Sequence, residues 1–290
     1  MNQSRGMKLV IIAAIVALLS VACGEEEPTP AGGGGDQPDF TLVNEGHLTV
    51  GSDIPYPPFE FEKGGDLTGF DVDVVAEIAE RIGIEVTDED WISTDFDTIF
   101  QQLQSGTTFD IIVAAVTAYA PKGSPAAETV ADRKKLVDFT VQYYPSLQSL
   151  VVNTSENPDI KTTDDLPDGA RVGVQAATTG AFFAQETLPD AEIVEFPKAP
   201  EIYQALLAGQ VDAVVNDLPV SVAELENKPD LEVVEELETG EGYGIGVAKD
   251  NAELKDAIDD ALNEMFSDGT YAEIWNKYFP DQPLPDFAQE

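Results

Sequence analysis

The 290-residue chain predicts an α/β protein of two similar lobes, and three observations carry that prediction. From Leu48 onward, short apolar strands alternate with amphipathic segments of helix length, the pattern of sheets covered by helices. A weak internal repeat aligns IFQQLQSGTTFDIIVAA (Ile99 to Ala115) with IYQALLAGQVDAVVND (Ile202 to Asp217), each a helix, a glycine stop and an Asp-led buried strand. Upstream, LTVGSD (Leu48 to Asp53) answers ARVGVQ (Ala170 to Gln175), each a strand running straight into a polar loop. Two such lobes face each other across a cleft beyond the carboxyl ends of their strands.

The elements follow in chain order. MNQSRGMKLVIIAAIVALLSVAC carries Arg5 and Lys8, an apolar run from Leu9 to Leu19, then small residues up to Cys23. That run is too short to span a bilayer and suits a secretory signal core. GEEEPTPAGGGGDQPD is acidic, rich in Gly and Pro and without apolar periodicity, which predicts a disordered tether before a body starting near Phe40. HLTVGSD reads as a strand. FDVDVVAEIAERIG reads as a helix with Val72, Val75, Ile78, Ala79 and Ile82 on one face and Gly83 past its end. FTVQYYPSLQSLVVN runs extended out of the first lobe, GEGYGIGVAKD returns to it, and NAELKDAIDDALNEMFSDGTYAEIWNKYF forms two helices split at Gly269. The expected organisation is a signal peptide at 1–22, a linker at 23–39, lobe 1 at 40–142 plus 243–282, hinges at 143–147 and 238–242, lobe 2 at 148–237 and a tail at 283–290.

Composition excludes several classes of function. With 55 acidic against 15 basic side chains and a net charge of -40, the surface repels phosphate backbones, so no nucleic-acid partner is expected. The acidity reads as a solvated, soluble surface, and no run of spaced Asp and Asn forms a calcium loop. One histidine, His47, and one cysteine, Cys23, leave no material for a His/Cys metal cluster, a disulfide or a Cys-His dyad. The glycines of GEGYGIGVAKD lack the Gly-x-Gly-x-x-Gly spacing and open no helix, and no Gly-x-x-x-x-Gly-Lys-Ser/Thr occurs, so neither a dinucleotide nor a nucleotide triphosphate is expected as cofactor. Only Arg5, Arg81, Arg133 and Arg171 can supply a planar, bidentate carboxylate clamp.

Two resemblances add to this reading. The cysteine after LSVA resembles the lipobox of bacterial lipoproteins, which implies lipidation and membrane anchoring at Cys23; Ser20 stands where a branched residue is usual. The segments YPPFEF, LTGFDVDVVAEIAERIG, FDTIFQQLQSG, FDIIVAAVT, RKKLVDFT, GVQAATTG, ALLAGQVDAVVND, YGIGVAKD and DGTYAEIWNKYF, in that order from about residue 48 to 280, resemble the extracytoplasmic solute-binding proteins of amino-acid ABC transporters, polar amino-acid type (family 3). The resemblance implies a two-lobed type II periplasmic-binding-protein-like fold with two crossing hinge strands. It further implies a monomer that is not an enzyme, with a free polar or basic L-amino acid as ligand and an ABC permease with its ATPase as partners, acting at the outer face of the cell membrane.

Its functional residues carry over by motif. Arg133 matches the arginine that grips the ligand α-carboxylate, helped by Thr117 and by Thr178 and Thr179 at a helix start; Ala115 and Ala177 hold places usually given to Gly. Asp217 matches the carboxylate for the α-ammonium, although its position also suits a helix N-cap before LPVSVAELE. Tyr56 and Phe96 match aromatics that sandwich the ligand's stem, although taken singly each also suits a core position. Asp53 and Gln175 match the positions that sample the end of the side chain, favouring a hydrogen-bond donor such as Gln, Asn, Lys or Arg. The chain departs from the family in the fifteen residues 118 to 132, AYAPKGSPAAETVAD, where relatives are short; this insertion belongs at the cleft as a rim, a lid or a docking element. Two rival functions remain: a sensor reporting to a membrane receptor, and a cyclohexadienyl-dehydratase-like enzyme on the same fold.

Overall fold

The computed structural model describes residues 40–289. The expected signal peptide, the linker and Cys23 lie outside these residues.

The first lobe starts with β1 (Val50–Ser52), the hairpin β2 (Phe61–Lys63) and β3 (Asp66–Thr68), and helix α1 (Phe70–Ile82). Gly83 ends α1 in the left-handed conformation, φ 75°, a geometry that costs glycine nothing. The buried face of α1 differs from the expected one: Phe70, Asp71, Val74, Val75, Ile78 and Ala79 are inside, while Val72 and Ile82 are half-exposed. Asp71 turns inward because the Tyr143 hydroxyl (2.9 Å) and the Ala115 amide (3.3 Å) both donate to it. Then come β4 (Trp91–Ser93), α2 (Ile99–Ser105), β5 (Ile111–Ile112), β6 (Thr117–Tyr119), α3 (Ala126–Leu136) and β7 (Asp138–Phe139).

The chain leaves through β8 (Tyr144–Asn153) into β9 (Arg171–Gln175), α4 (Thr179–Thr187), β10 (Glu192–Phe196), α5 (Ala199–Leu207), β11 (Ala213–Asp217) and α6 (Leu218–Leu225). It returns through β12 (Leu231–Tyr243) to β13 (Gly246–Val247) and closes with α7 (Ala252–Asp268) and α8 (Thr270–Tyr278).

The sheet orders are β4-β1-β5-β13-β7 and β10-β9-β11-β8-β12-β6. In the first, β4, β1 and β5 are parallel and β13 runs against β5; in the second, β10, β9 and β11 are parallel and β8 runs against β11. The internal repeat is therefore topological: β1 answers β9, β5 answers β11, and each lobe adds one antiparallel strand at the same place.

The long antiparallel ladder of β8 with β12 joins the lobes. Tyr144 and Tyr243 stack on it at 5.3 Å, and Phe59, Trp275 and Phe279 pack around Tyr144 at 5.0, 5.2 and 5.1 Å, so the hinge is anchored in the first lobe's aromatic core. The insertion is built onto this hinge. Its first strand, β6, pairs with the end of β12 in the second sheet, and Pro121 packs on the register break at Gly240, where φ is 65° and an added Cβ would lie 2.9 Å from Pro121 Cγ. A turn at 120–125 then leads into the start of α3, with Ala126 and Val130 buried. It thus gives a strand end, a turn and the first part of a helix to the framework of the cleft.

Candidate ligand-binding cleft

The loops after β1, β5 and β9 and the end of β11 converge between the lobes around a cavity of about 320 Å³. The ten residues picked out above, Asp53 to Asp217, all line it, together with Ala114.

At one end, α3 delivers Arg133, which is 5% exposed. Its Nη1 donates to Thr117 O (2.9 Å) and its Nη2 to Ala177 O (3.2 Å), so it touches a backbone carbonyl on either side of the cleft. The guanidinium lies 5.2 Å from the Phe96 ring centre and 5.1 Å from that of Phe100, within range of a cation–π attraction. Burial lowers its pKa to about 10, against the pull of Glu241 and Asp217, so it remains a cation at neutral pH. The other two described arginines are committed elsewhere, Arg81 to Glu77 and Asp268, Arg171 to Asp212. Among the described residues Arg133 alone of the three has no carboxylate within 4 Å.

Asp217 ends β11. It occupies the N-cap position of α6, as its place before LPVSVAELE suggested, but its side chain makes no capping bond. Instead it accepts from Tyr56 Oη (2.9 Å), Tyr243 Oη (2.7 Å) and Gln148 Nε2 (2.6 Å). Burial raises its pKa to about 6, with the charge of Glu241 adding to the effect. No cationic side chain among the described residues pairs with it. The cavity thus holds an unpaired cation and an unpaired anion, an arrangement costly for the protein alone.

Three hydroxyls expected to face a ligand are already engaged. Thr117 Oγ1 (2.8 Å) and Thr179 Oγ1 (2.6 Å) both donate to one oxygen of Glu241, a buried residue of β12. Thr178 caps α4, accepting from the Ala181 amide (3.1 Å) and donating to Gln175 O (2.7 Å). What the helix start still offers is backbone amides at the positive end of its dipole. Ala115 (φ 47°) and Ala177 (φ 62°) adopt the left-handed conformation that glycine would take more cheaply; the backbone shape is kept without the residue that favours it.

Tyr56 spans the cleft, its hydroxyl reaching Asn216 (3.2 Å) as well as Asp217. Phe96, 7% exposed, packs edge-on to Phe100 at 5.8 Å. At the far end, Asp53 is 3% exposed and accepts from Gln175 Nε2 (2.6 Å) on one oxygen and from Lys198 on the other. Burial raises the Asp53 pKa while Lys198 opposes it. Nothing in the sequence singles out Glu241 among 55 acidic residues; Lys198, in a chain with 15 basic ones, is the more conspicuous by its rarity.

The profile of the bacterial extracellular solute-binding proteins, family 3, matches residues 48–281. A probable histidine-binding protein of Campylobacter jejuni is 31% identical over 278 residues, 94% of this chain and 99% of its own. An ancestral arginine-binding protein, solved bound to glutamine, superimposes with a TM-score of 0.72 and 37% identity over 81% of this chain and 99% of that one. An ancestral amino acid-binding protein described as a precursor of cyclohexadienyl dehydratase does so at 0.69 and 33%, over 81% and 96%. With its two-lobed fold and a match spanning residues 48–281, the chain belongs to the bacterial extracellular solute-binding proteins of family 3.

Proposed function

We propose that this protein captures a free polar or basic L-amino acid in the interlobe cleft and delivers it to an ABC permease, held at the outer face of the membrane by a lipid on Cys23. One observation carries the reading: Arg133 and Asp217, buried in one cavity and without ion-pair partners among the described residues, are complementary to the carboxylate and ammonium of a zwitterion. In this reading the guanidinium takes both carboxylate oxygens, the amides of Thr178 and Thr179 assist it, and Tyr56 and Phe96 flank the stem. Closure of the lobes removes water from both ion pairs and strengthens them. The lipid anchor and the permease rest on the sequence resemblance alone.

A thermal-shift screen of the twenty amino acids tests the proposal. A ligand at a hundred times its dissociation constant adds about 2.7 kcal/mol of stability. A flat screen contradicts the reading.

The similarity to a dehydratase precursor raises an enzymatic alternative. Asp217, with a pKa of about 6, would be its acid, but three donors already hold that carboxyl as an acceptor. The protein is therefore read as a binder, and the absence of product from prephenate or arogenate is the expected result.

A further inference from the structure

The far end of the cavity carries a cross-cleft contact that the ligand clamp does not require. Lys198 precedes α5 in the second lobe, yet its ammonium reaches three groups of the first: the Asp53 carboxylate, Thr94 O at 3.3 Å and Asp95 at 3.3 Å. Asp53 is enclosed, with 4% of its side chain exposed, so its charge is felt strongly within the cavity; the Asp95 side chain is 65% exposed and screened by water. Lys198 itself is not among the groups lining the cavity and approaches Asp53 from its rim.

The second oxygen of Asp53 is engaged as well. Gln175 Nε2 donates to it and to Pro197 O (3.2 Å), and since both partners are acceptors, the amide nitrogen must be the atom facing them. Gln175 Oε1 then accepts no bond from the described residues and is left as a neutral acceptor. Asp53 alone would attract a guanidinium or an ammonium. Asp53 with Lys198 is close to neutral, and a cation brought to it meets the ammonium's repulsion behind the carboxylate's attraction.

We propose that Lys198 is a specificity residue: by neutralising Asp53 across the cleft it makes the far end of the cavity select an uncharged hydrogen-bonding side chain, such as a carboxamide, over a guanidinium or ammonium. The inference rests on the amino-acid-binding reading above and narrows its ligand class. Lys198 also ties the lobes together, and a purely mechanical tie would alter all affinities by a common factor, whereas charge neutralisation alters their ratio.

Calorimetric titration of the purified protein with glutamine and with arginine separates the two. The wild type is expected to favour glutamine. Lys198→Met, which keeps the apolar stem, shifts the ratio toward arginine by about tenfold or more, the scale of one partly solvated charge interaction, and Lys198→Arg leaves the ratio unchanged. Asp53→Asn, which leaves Lys198 without its partner, shifts the ratio further toward glutamine and keeps the test open if one variant fails to fold. A wild-type preference for arginine, or an equal change for both ligands in Lys198→Met, overturns the proposal. If none of the twenty amino acids binds the wild type, it is the broader reading of the cleft that fails first.

Discussion

Asp217 makes ligand affinity depend on pH in a direction fixed by its surroundings. Burial, aided by the charge of Glu241, raises its pKa from the ordinary 3.8 to about 6 although three donors point at it. Two pKa units correspond to about 3 kcal/mol by which the empty site disfavours the carboxylate. A ligand ammonium placed against Asp217 restores the charged form, so binding to the protonated protein releases a proton, and affinity rises with pH through about 6. For a single group of that pKa the dissociation constant is about tenfold larger at pH 5 than at pH 7. Calorimetry in two buffers of different ionisation enthalpy reads the same event as about one proton released per ligand at pH 5 and almost none at pH 7. Asp217→Asn should abolish the slope and weaken binding at pH 7 by about 3 kcal/mol or more, since the ligand's buried ammonium then has no counter-charge. Equal affinities at pH 5 and 7 refute this reasoning. So does a slope that survives in Asp217→Asn, which would transfer the effect to Asp71, whose pKa burial raises to about 7.

Three further outcomes are expected. Arg133→Ala should lower ligand affinity by several kcal/mol while Arg81→Ala and Arg171→Ala leave it unchanged, read by calorimetry. Glu60 and Asp71 are fully buried carboxyls whose pKa values burial raises, so the folded state keeps protons that the unfolded chain releases. Stability is then highest near the unfolded pKa of about 4 and falls as pH rises through about 7; urea midpoints should be lower at pH 8 than at pH 5, and flatter with pH in Glu60→Gln. Ala177→Gly should relieve the left-handed strain at that position, stabilising the protein by up to about 1 kcal/mol and raising the melting temperature by about 2 to 4 °C.

The two-lobed architecture was legible because its signals are local. Strand–helix alternation and glycine stops repeat in both halves, and LTVGSD and ARVGVQ became β1 and β9, each second from the edge of its sheet. The cavity's lining was legible through ordered motifs rather than through any single residue. The ionic partners within it were not: Lys198 lies 145 residues from Asp53 and Glu241 lies 124 from Thr117, separations that no periodicity encodes. The inward turn of Asp71 was hidden for a similar reason, since an acidic residue in the first helical turn reads as solvated until Tyr143 is placed against it. The insertion read as a loop because half of AYAPKGSPAAETVAD is Ala, Pro and Gly, yet its second half has the propensity to wind into α3, the helix that carries Arg133.

The bonds that draw the walls together also stand in the ligand's way. Arg133 reaches both Thr117 O and Ala177 O, and Glu241 holds Thr117 and Thr179 at once, so the walls of the cavity are linked by the protein's own groups. A solute can enter only during the intervals when those links are broken. The association rate is then the encounter rate multiplied by the fraction of time the cleft stands open, and the release rate is bounded by the frequency of opening. Weakening the Glu241 links should therefore speed capture and release together, so that exchange of a bound solute is set as much by a hinge carboxylate as by the groups that touch the solute.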